Sequence, residues 1–412
     1  INPQALNEYE FIGELALTGE LRAIDGVLPA ALAAKQAGRK MIVPSGNGAE
    51  AGLAGSEHIY TARTLMEVVH HLRGDRILPK AQSQVDFIDA PMLDMADVRG
   101  QQSARRAMEI AAAGGHHILL IGSPGCGKTL LASRLPGILP MASDEEAIES
   151  AAIASVSGRG PDLTRFRQRP FRSPHHTSSA VALAGGGTQP KPGEISLAHN
   201  GVLFLDELAE WDRKSLEVLR QPLESGTVSI SRAANTAEFP ARFQLVAAMN
   251  PCPCGWFGDN SGRCRCTADA IERYRGKLSG PLLDRIDIHL AMSRISHEEL
   301  HLNAPLGESS AVIRERVIKA RDRQRQQSGV CNAHLSQSQL KQLCQLSDGN
   351  QNLLDQAMNA LQLSARATYR ILRVARTIAD LADSADIETP HLTEAIQYRQ
   401  LDRALAVPKR RG

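Results

Sequence analysis

Aromatic residues are scarce in this 412-residue chain: eight Phe, five Tyr and two Trp, 4% of the total. That disfavours an aromatic-platform binder of single strands and an aromatic-rich β-sandwich, because both need many ring faces. Excess charge of either sign is also lacking, with 47 basic residues against 45 acidic and a formal net charge of +2. A polyanion partner must therefore be met by a local patch. No apolar run reaches the roughly 18 residues of a membrane span, and with no basic-plus-apolar stretch before the first unit secretion is not expected. The expected location is cytoplasmic, with no membrane partner. Cysteine is sparse and odd in number: seven, of which four crowd between Cys252 and Cys266. In a cytosolic chain such clustering suggests metal before disulfide.

What remains is an Ala/Leu-rich globular composition, 42% hydrophobic and 22% charged. At about 100–200 residues per domain the length allows two to four domains. Residues 1–72 read as a small α/β unit, with strands at Gly13–Leu17 and Met41–Pro44 and a helix at Leu28–Ala37. Residues 73–95 lack periodicity and read as a linker. Residues 96–298 alternate short apolar strands (His117–Gly122, Val202–Leu205, Phe243–Met249, Ile286–Leu290) with helices, which implies a parallel sheet covered on both faces. Residues 299–412 read as a separate helical domain, with helices expected at Ser309–Gln327, Ser336–Leu346, Asn350–Ala360, Ala365–Leu381 and Thr389–Arg399. The fold class is α/β.

The chemistry is concentrated in short motifs. Gly122, Ser123, Pro124, Gly125, Cys126, Gly127, Lys128 and Thr129 match the phosphate-loop pattern GxxxxGK[ST], after an apolar strand and before a helix opened by Leu130. Its glycines let backbone N–H groups turn around phosphates; Lys128 reaches the β/γ-phosphates of ATP or ADP, and Thr129 ligates Mg²⁺. Val202–Leu205 runs into Asp206 and Glu207, a buried strand delivering one carboxylate to the magnesium shell and a second to polarise water. Asn250 ends the next strand, where it can orient the water or touch the γ-phosphate. Arg285, in Leu282-Leu-Asp-Arg-Ile-Asp287, is an ordinary salt-bridge arginine in a lone domain and an arginine finger in a ring.

Taken in order, these motifs resemble the AAA+ ATPases: a P-loop parallel-sheet core followed by a C-terminal helical lid. Lys191–Glu207 (KPGEISLAHNGVLFLDE) and Phe171–Thr177 (FRSPHHT) resemble the magnesium-chelatase-like branch, and within it the ComM (YifB) family. The resemblance implies a homo-hexameric ring with ATP sites between subunits, Arg285 as the finger, and Arg366 of Leu363-Ser-Ala-Arg366 as the lid arginine that touches phosphate. It further implies a DNA helicase that promotes branch migration when imported DNA is integrated in natural transformation, alongside other recombination proteins. Two other readings stand beside it. One is a magnesium-chelatase motor subunit, not expected to carry the N-terminal unit or the cysteine loop; the other is a DNA-binding scaffold that uses ATP only to assemble.

Cys252, Cys254, Cys264 and Cys266 offer two close pairs across the loop 251–266, enough to surround one Zn²⁺; free thiols or disulfides are the alternatives. Three basic features can meet single-stranded or branched DNA or can simply face solvent. They are the Arg165–Arg172 run in an insert at about 160–190, a hairpin expected at 226–240, and the helix Arg314–Arg325. The hairpin resembles the pre-sensor hairpin of minichromosome-maintenance helicases, with Arg232 in the DNA-facing slot; Arg172 and Lys191 are further DNA candidates. His175 and His176 are open between structural packing and a pore or DNA contact. Gly13–Gly19 and Asp25–Leu32 resemble the second half of a Lon protease domain. Val27, Leu28, Pro29, Ala30 and Ala31 stand where that family needs its lysine. The serine-bearing half would precede Ile1, so a partial, non-catalytic Lon-like α/β domain, serving as scaffold or DNA collar, is expected.

Overall fold

The computed structural model of the chain describes residues 6–83, 92–188, 190–231, 236–259, 262–294 and 307–399. Its first unit is a parallel sheet of Tyr9–Phe11 (β1), Lys40–Pro44 (β2) and Ile59–Ala62 (β3), in that order. Val27–Gln36 (α1) starts after Gly26, whose φ of 80° lies in the left-handed region that glycine enters without a Cβ clash. Val27, Leu28 and Ala31 of α1 are buried, in one apolar cluster with Ala151 of the core helix Asp144–Val156. The expected strand at Gly13–Leu17 is a strand only at Glu14–Leu15, paired with Leu21–Arg22, and three-residue β1 was too short to show a period. The expected linker also begins later. Leu65–Arg73 (α2) is followed by buried Leu78 and Ala81, and Ala81 N–H donates to Ile59 O at 2.8 Å, laying this stretch along β3. Residues 84–91 lie outside the described residues.

The second unit opens with Gln102–Gly114 (α3), Ile118–Gly122 (β4), Lys128–Ala132 (α4) and Asp144–Val156 (α5). Helix α5 is started by a capping box in which Ser143 and Glu146 satisfy each other's backbone N–H. Phe171–Arg172 (β5), Val202–Leu205 (β6) and Pro222–Ser225 (α6) follow, then the antiparallel hairpin Thr227–Ser231 (β7) and Thr236–Pro240 (β8). Gln244–Met249 (β9), Ala268–Arg275 (α7) and Ile288–Met292 (β10) complete it. Strands β10, β4, β9, β6 and β5 lie in that order in one parallel sheet. Every residue of β4, β6 and β9 is buried, which is why these segments read as unbroken apolar runs without alternation.

The helical region consists chiefly of Ser310–Ser328 (α8), Gln337–Leu343 (α9), Asp348–Leu361 (α10), Ala365–Leu381 (α11) and Thr389–Gln397 (α12). Buried Ala367, Ile371, Val374, Ala375 and Ile378 recur at helical spacing along α11. The region does not carry a core of its own. One buried cluster runs from Met95 through α3 and β4 to Ile313, Ile371 and Tyr398, so core and lid share their hydrophobic interior. A buried ionic joint adds to this: Asp287 accepts the His117 backbone N–H at 3.0 Å and pairs with Arg370 of α11. Burial pushes the Asp287 carboxyl up, but Arg370 and His116 outweigh it and hold it well below the usual carboxylate range. No helix among the described residues is long and apolar enough to cross a membrane.

His117 is fully buried and its Nδ1 accepts the Leu245 N–H at 3.0 Å; burial pushes its imidazole down to about 4. The unfolded chain, with an ordinary imidazole, then takes the proton first as pH falls. Stability from this group is complete above about pH 6.5 and is lost toward pH 4, at about 1.4 kcal/mol per pH unit. Burial displaces His199 and His334 in the same direction. Urea melts are expected to show midpoints falling steadily through this window, with a shallower fall in His117→Gln. A flat profile would contradict the assignment.

Candidate nucleotide site and four-cysteine centre

The C-terminal ends of three adjacent strands, β4, β9 and β6, bring the motif residues together at one edge of the sheet, where ligands bind in open α/β folds. After β4 the loop turns at Gly125 (φ 78°) and Gly127 (φ 93°), both in the left-handed region. Lys128 Nζ donates to Gly122 O at 2.7 Å, Ser123 O at 3.1 Å and Asn250 Oδ1 at 3.1 Å. Phosphate oxygens are the stronger partners for the same ammonium. Thr129 donates its hydroxyl to Asp206 Oδ2 at 2.8 Å, so the two oxygen ligands expected for Mg²⁺ are side by side. Cys126 and Ser123 are buried beneath the loop, while Pro124, Gly125, Thr129 and Leu130 face outward.

Asp206 is fixed by its own surroundings: its Oδ1 accepts the Glu207 N–H at 2.8 Å and its carbonyl accepts the Trp211 indole N–H at 2.9 Å. Glu207 sits at φ 50°, a region non-glycine residues seldom enter and one that collects at functional sites. Its carboxylate meets His176 Nδ1 at 2.9 Å. His176 stands just beyond β5 with its ring tilted against that of His175, ring centroids 4.2 Å apart. Whichever of its open uses holds, His176 abuts the expected water-polarising carboxylate. Its place after a two-residue strand, far in sequence from Glu207, left no local signal of this.

The four cysteines converge directly after Asn250. Their sulfurs all lie within 4.8 Å of one another. Three of the pairs are separated by 3.4 Å (Cys252–Cys254), 3.9 Å (Cys252–Cys264) and 3.7 Å (Cys254–Cys264). A tetrahedral site with Zn–S of about 2.3 Å has sulfurs about 3.8 Å apart, so the donor set fits zinc in type and spacing. The Trp256 backbone N–H pulls the Cys254 thiol down to about 6. The loop abuts the phosphate loop: Gly255 has φ 82°, and a Cβ there would lie 2.7 Å from Pro124 Cδ. Arg275 of α7 donates to Pro251 O at 3.1 Å, and Arg263 stacks on Trp256 with 3.6 Å to the ring centroid.

Residues 94–300 match the family described as magnesium chelatase, subunit ChlI; residues 307–399 match its C-terminal family, and residues 1–47 one described as subunit ChlI of Mg-chelatase. The chain is 49% identical to competence protein ComM of Haemophilus influenzae over 97% of its own length and 79% of the relative's. The chain belongs to the ComM (YifB) family of magnesium-chelatase-like AAA+ proteins. It is 47% identical to YifB of Escherichia coli over 97% of this chain and 79% of that one. An MCM-type protein of Methanocaldococcus jannaschii is 27% identical over 45% of this chain and 21% of its own. Membership in this AAA+ family implies ATPase activity.

Within this ComM-family chain, Lys128, Thr129, Asp206, Glu207 and Asn250 gather at one site. Arg285 and Arg366 gather elsewhere: Arg285 is buried and paired with Glu224, and exposed Arg366, at the start of α11, acts on the same carboxylate. Most cations of two of the three basic features are engaged inside the chain, while Arg165 and Arg325 are exposed. Arg169 binds Glu146, and Arg172 is bidentate to Glu194 at 2.6 and 2.8 Å. Along α8, Arg314 donates to Gly137 O, Arg316 to Glu109 and Glu308, and Arg321 to Ala112 O, tying lid to core. Lys191 pairs with Asp25 at 3.4 Å. Arg172 and Lys191, expected to meet DNA, are thus both engaged by carboxylates of this chain. The hairpin β7–β8 is present as expected; Arg232 at its tip lies outside the described residues.

Proposed function

We propose that the chain is the motor of a homo-hexameric, ATP-driven translocase that moves single-stranded or branched DNA and promotes branch migration during recombination of imported DNA. The observation that carries this reading is the β7–β8 hairpin. It is inserted between Asp206/Glu207 and the strand ending at Asn250, and its sequence resembles the pre-sensor hairpin of minichromosome-maintenance helicases. A relative named competence protein and another of MCM type support the same direction. In this reading Lys128 and the loop amides hold the phosphates, and Thr129 and Asp206 hold Mg²⁺, which neutralises charge on the transferring phosphoryl group. Glu207 polarises water that Asn250 orients, and Arg285 and Arg366 reach a neighbour's nucleotide. Strand β9 joins the hairpin to Asn250, so hydrolysis and hairpin position share one rigid element. Zinc in the four-cysteine centre is structural, and the location is cytoplasmic.

A chelatase-type motor subunit is the second reading, favoured by the descriptions of the matched families. A chelatase-described family also covers residues 1–47, so the N-terminal unit does not separate the two readings; the cysteine loop remains as the difference. One experiment decides: hydrolysis with and without forked DNA, and three-strand branch migration, for wild type and Lys128→Ala. The DNA motor predicts DNA-stimulated hydrolysis, strand movement lost in Lys128→Ala, and binding that weakens steeply with salt. Hydrolysis indifferent to DNA would overturn it.

A further inference from the structure

Arg285 is 8% exposed on its side chain, against 59% for its partner Glu224. Nη2 pairs with Glu224 Oε1 at 2.5 Å and Nη1 donates to Pro281 O at 2.7 Å. Nε is buried with no partner among the described residues. The guanidinium is thus held by one exposed carboxylate and is incompletely satisfied, an arrangement that a stronger anion can replace. Arg285 first, with Arg366 and Arg220 behind it, holds the Glu224 carboxyl below its usual range. One carboxylate therefore answers the two arginines that the family resemblance assigns to phosphate.

Glu224 also belongs to the root of the hairpin. It lies on α6, and α6 is cross-tied to β7: Ser225 Oγ donates to Thr227 O at 3.2 Å, and Gln221 Nε2 donates to Ser229 Oγ at 3.3 Å. Gly226 between them has φ 70°, and a Cβ there would meet Arg242 Cγ at 3.0 Å, so the joint has little slack. Displacing the hairpin displaces the carboxylate.

We propose that Glu224 is a positioning residue that occupies, within its own chain, the place a neighbouring subunit's nucleotide phosphate takes against Arg285, and that hairpin movement on DNA withdraws it. This rests on the reading above that Arg285 serves a neighbour and that the hairpin meets DNA. A terminal phosphate carries more charge than a carboxylate and offers a bidentate face to a guanidinium, so it wins once Glu224 is drawn aside. Glu224 then makes hydrolysis depend on DNA by keeping the finger folded back without it.

The test uses the full chain and two measurements. Lys128→Ala and Arg285→Ala proteins are mixed; if Arg285 acts on a neighbour, the mixture regains hydrolysis that neither has alone. Glu224→Gln is then assayed with and without a forked oligonucleotide. The expected result is a DNA-free rate raised about fivefold with the DNA-saturated rate kept, so the stimulation ratio shrinks. A merely structural carboxylate would lower both rates together. Recovery in the mixture, with a DNA-free rate in Glu224→Gln that is unchanged or reduced, overturns the proposal and leaves the reading of Arg285 standing. A mixture that stays inactive overturns both.

Discussion

Glu207→Gln is expected to stop ATP turnover while ATP still binds. The substitution removes a carboxylate without disturbing what surrounds it. Asp206 keeps its contacts to the Thr129 hydroxyl and to the backbone N–H of residue 207, because neither uses the Glu207 side chain. The left-handed backbone at φ 50° strains Gln no more than Glu, and the amide oxygen can still accept from His176. Lys128 and the loop are untouched, so binding persists. What is lost in the proposed reading is the group that polarises water, and general-base contributions of this kind run to about 10²–10⁴-fold, roughly 3–5 kcal/mol of barrier. Phosphate release together with equilibrium nucleotide binding measures both halves. Turnover within about tenfold of wild type would remove Glu207 from the role.

What could be read from the sequence was whatever is contiguous. The phosphate loop, the Asp206–Glu207 strand end, Asn250 and the cysteine run each lie in one stretch, and each type of residue is demanded locally by phosphate, magnesium or thiolate chemistry. The strands carrying them are fully buried, so an apolar run was sufficient signal; the expected segments agree with β4, β6 and β9 to within a residue, and β10 is displaced by two. Strands of two or three residues, β1 and β5, have no period to detect.

Pairings between distant segments were not legible, and they changed the functional map most. Arg165–Arg172 and Arg314–Arg325 were open between a polyanion-binding surface and a solvated face. Most of their cations go to Glu146 and Glu194 within the core and, from the lid helix, to Glu109, Glu308 and backbone carbonyls, several of which fasten lid to core. No local pattern separates an arginine that faces solvent from one that spans two elements. His176 against Glu207, Glu224 against Arg285 and Arg370 against Asp287 follow the same rule. In each the acid or base is visible in sequence, and only the fold chooses its partner.

Cys252→Ser is expected to lose the bound metal and, with it, tight nucleotide binding. Cys252 is fully buried, accepts the Phe257 N–H at 3.3 Å and stands two residues after Asn250. The loop it anchors rests on Pro124 through Gly255 and is held from below by Arg275 at Pro251. Structural zinc sites supply roughly 10–16 kcal/mol of apparent binding free energy to the fold that forms them, far more than these few contacts supply alone. Without the metal, four thiols this close cannot all ionise: Cys254 is drawn down to about 6, whereas Cys266, lowered by a backbone hydrogen bond at Cys254, is pushed up to about 11 by the Cys254 thiol, burial and Cys252 together. The loop then loses its reason to close, and the wall it gives to Asn250 and Pro124 loosens. Wild-type protein is expected to carry about one zinc per chain by atomic emission, with four thiols shielded from a thiol reagent until a chelator is added. The variant is expected to carry almost none, to melt earlier and to bind ATP about tenfold more weakly, a loss of about 1.4 kcal/mol. Wild-type protein in which all seven cysteines titrate freely and no metal copurifies would show the cluster to be four separate thiols. A Cys252→Ser protein that loses zinc yet binds ATP as tightly as wild type would show instead that the centre stabilises its own loop and does not reach the phosphate site.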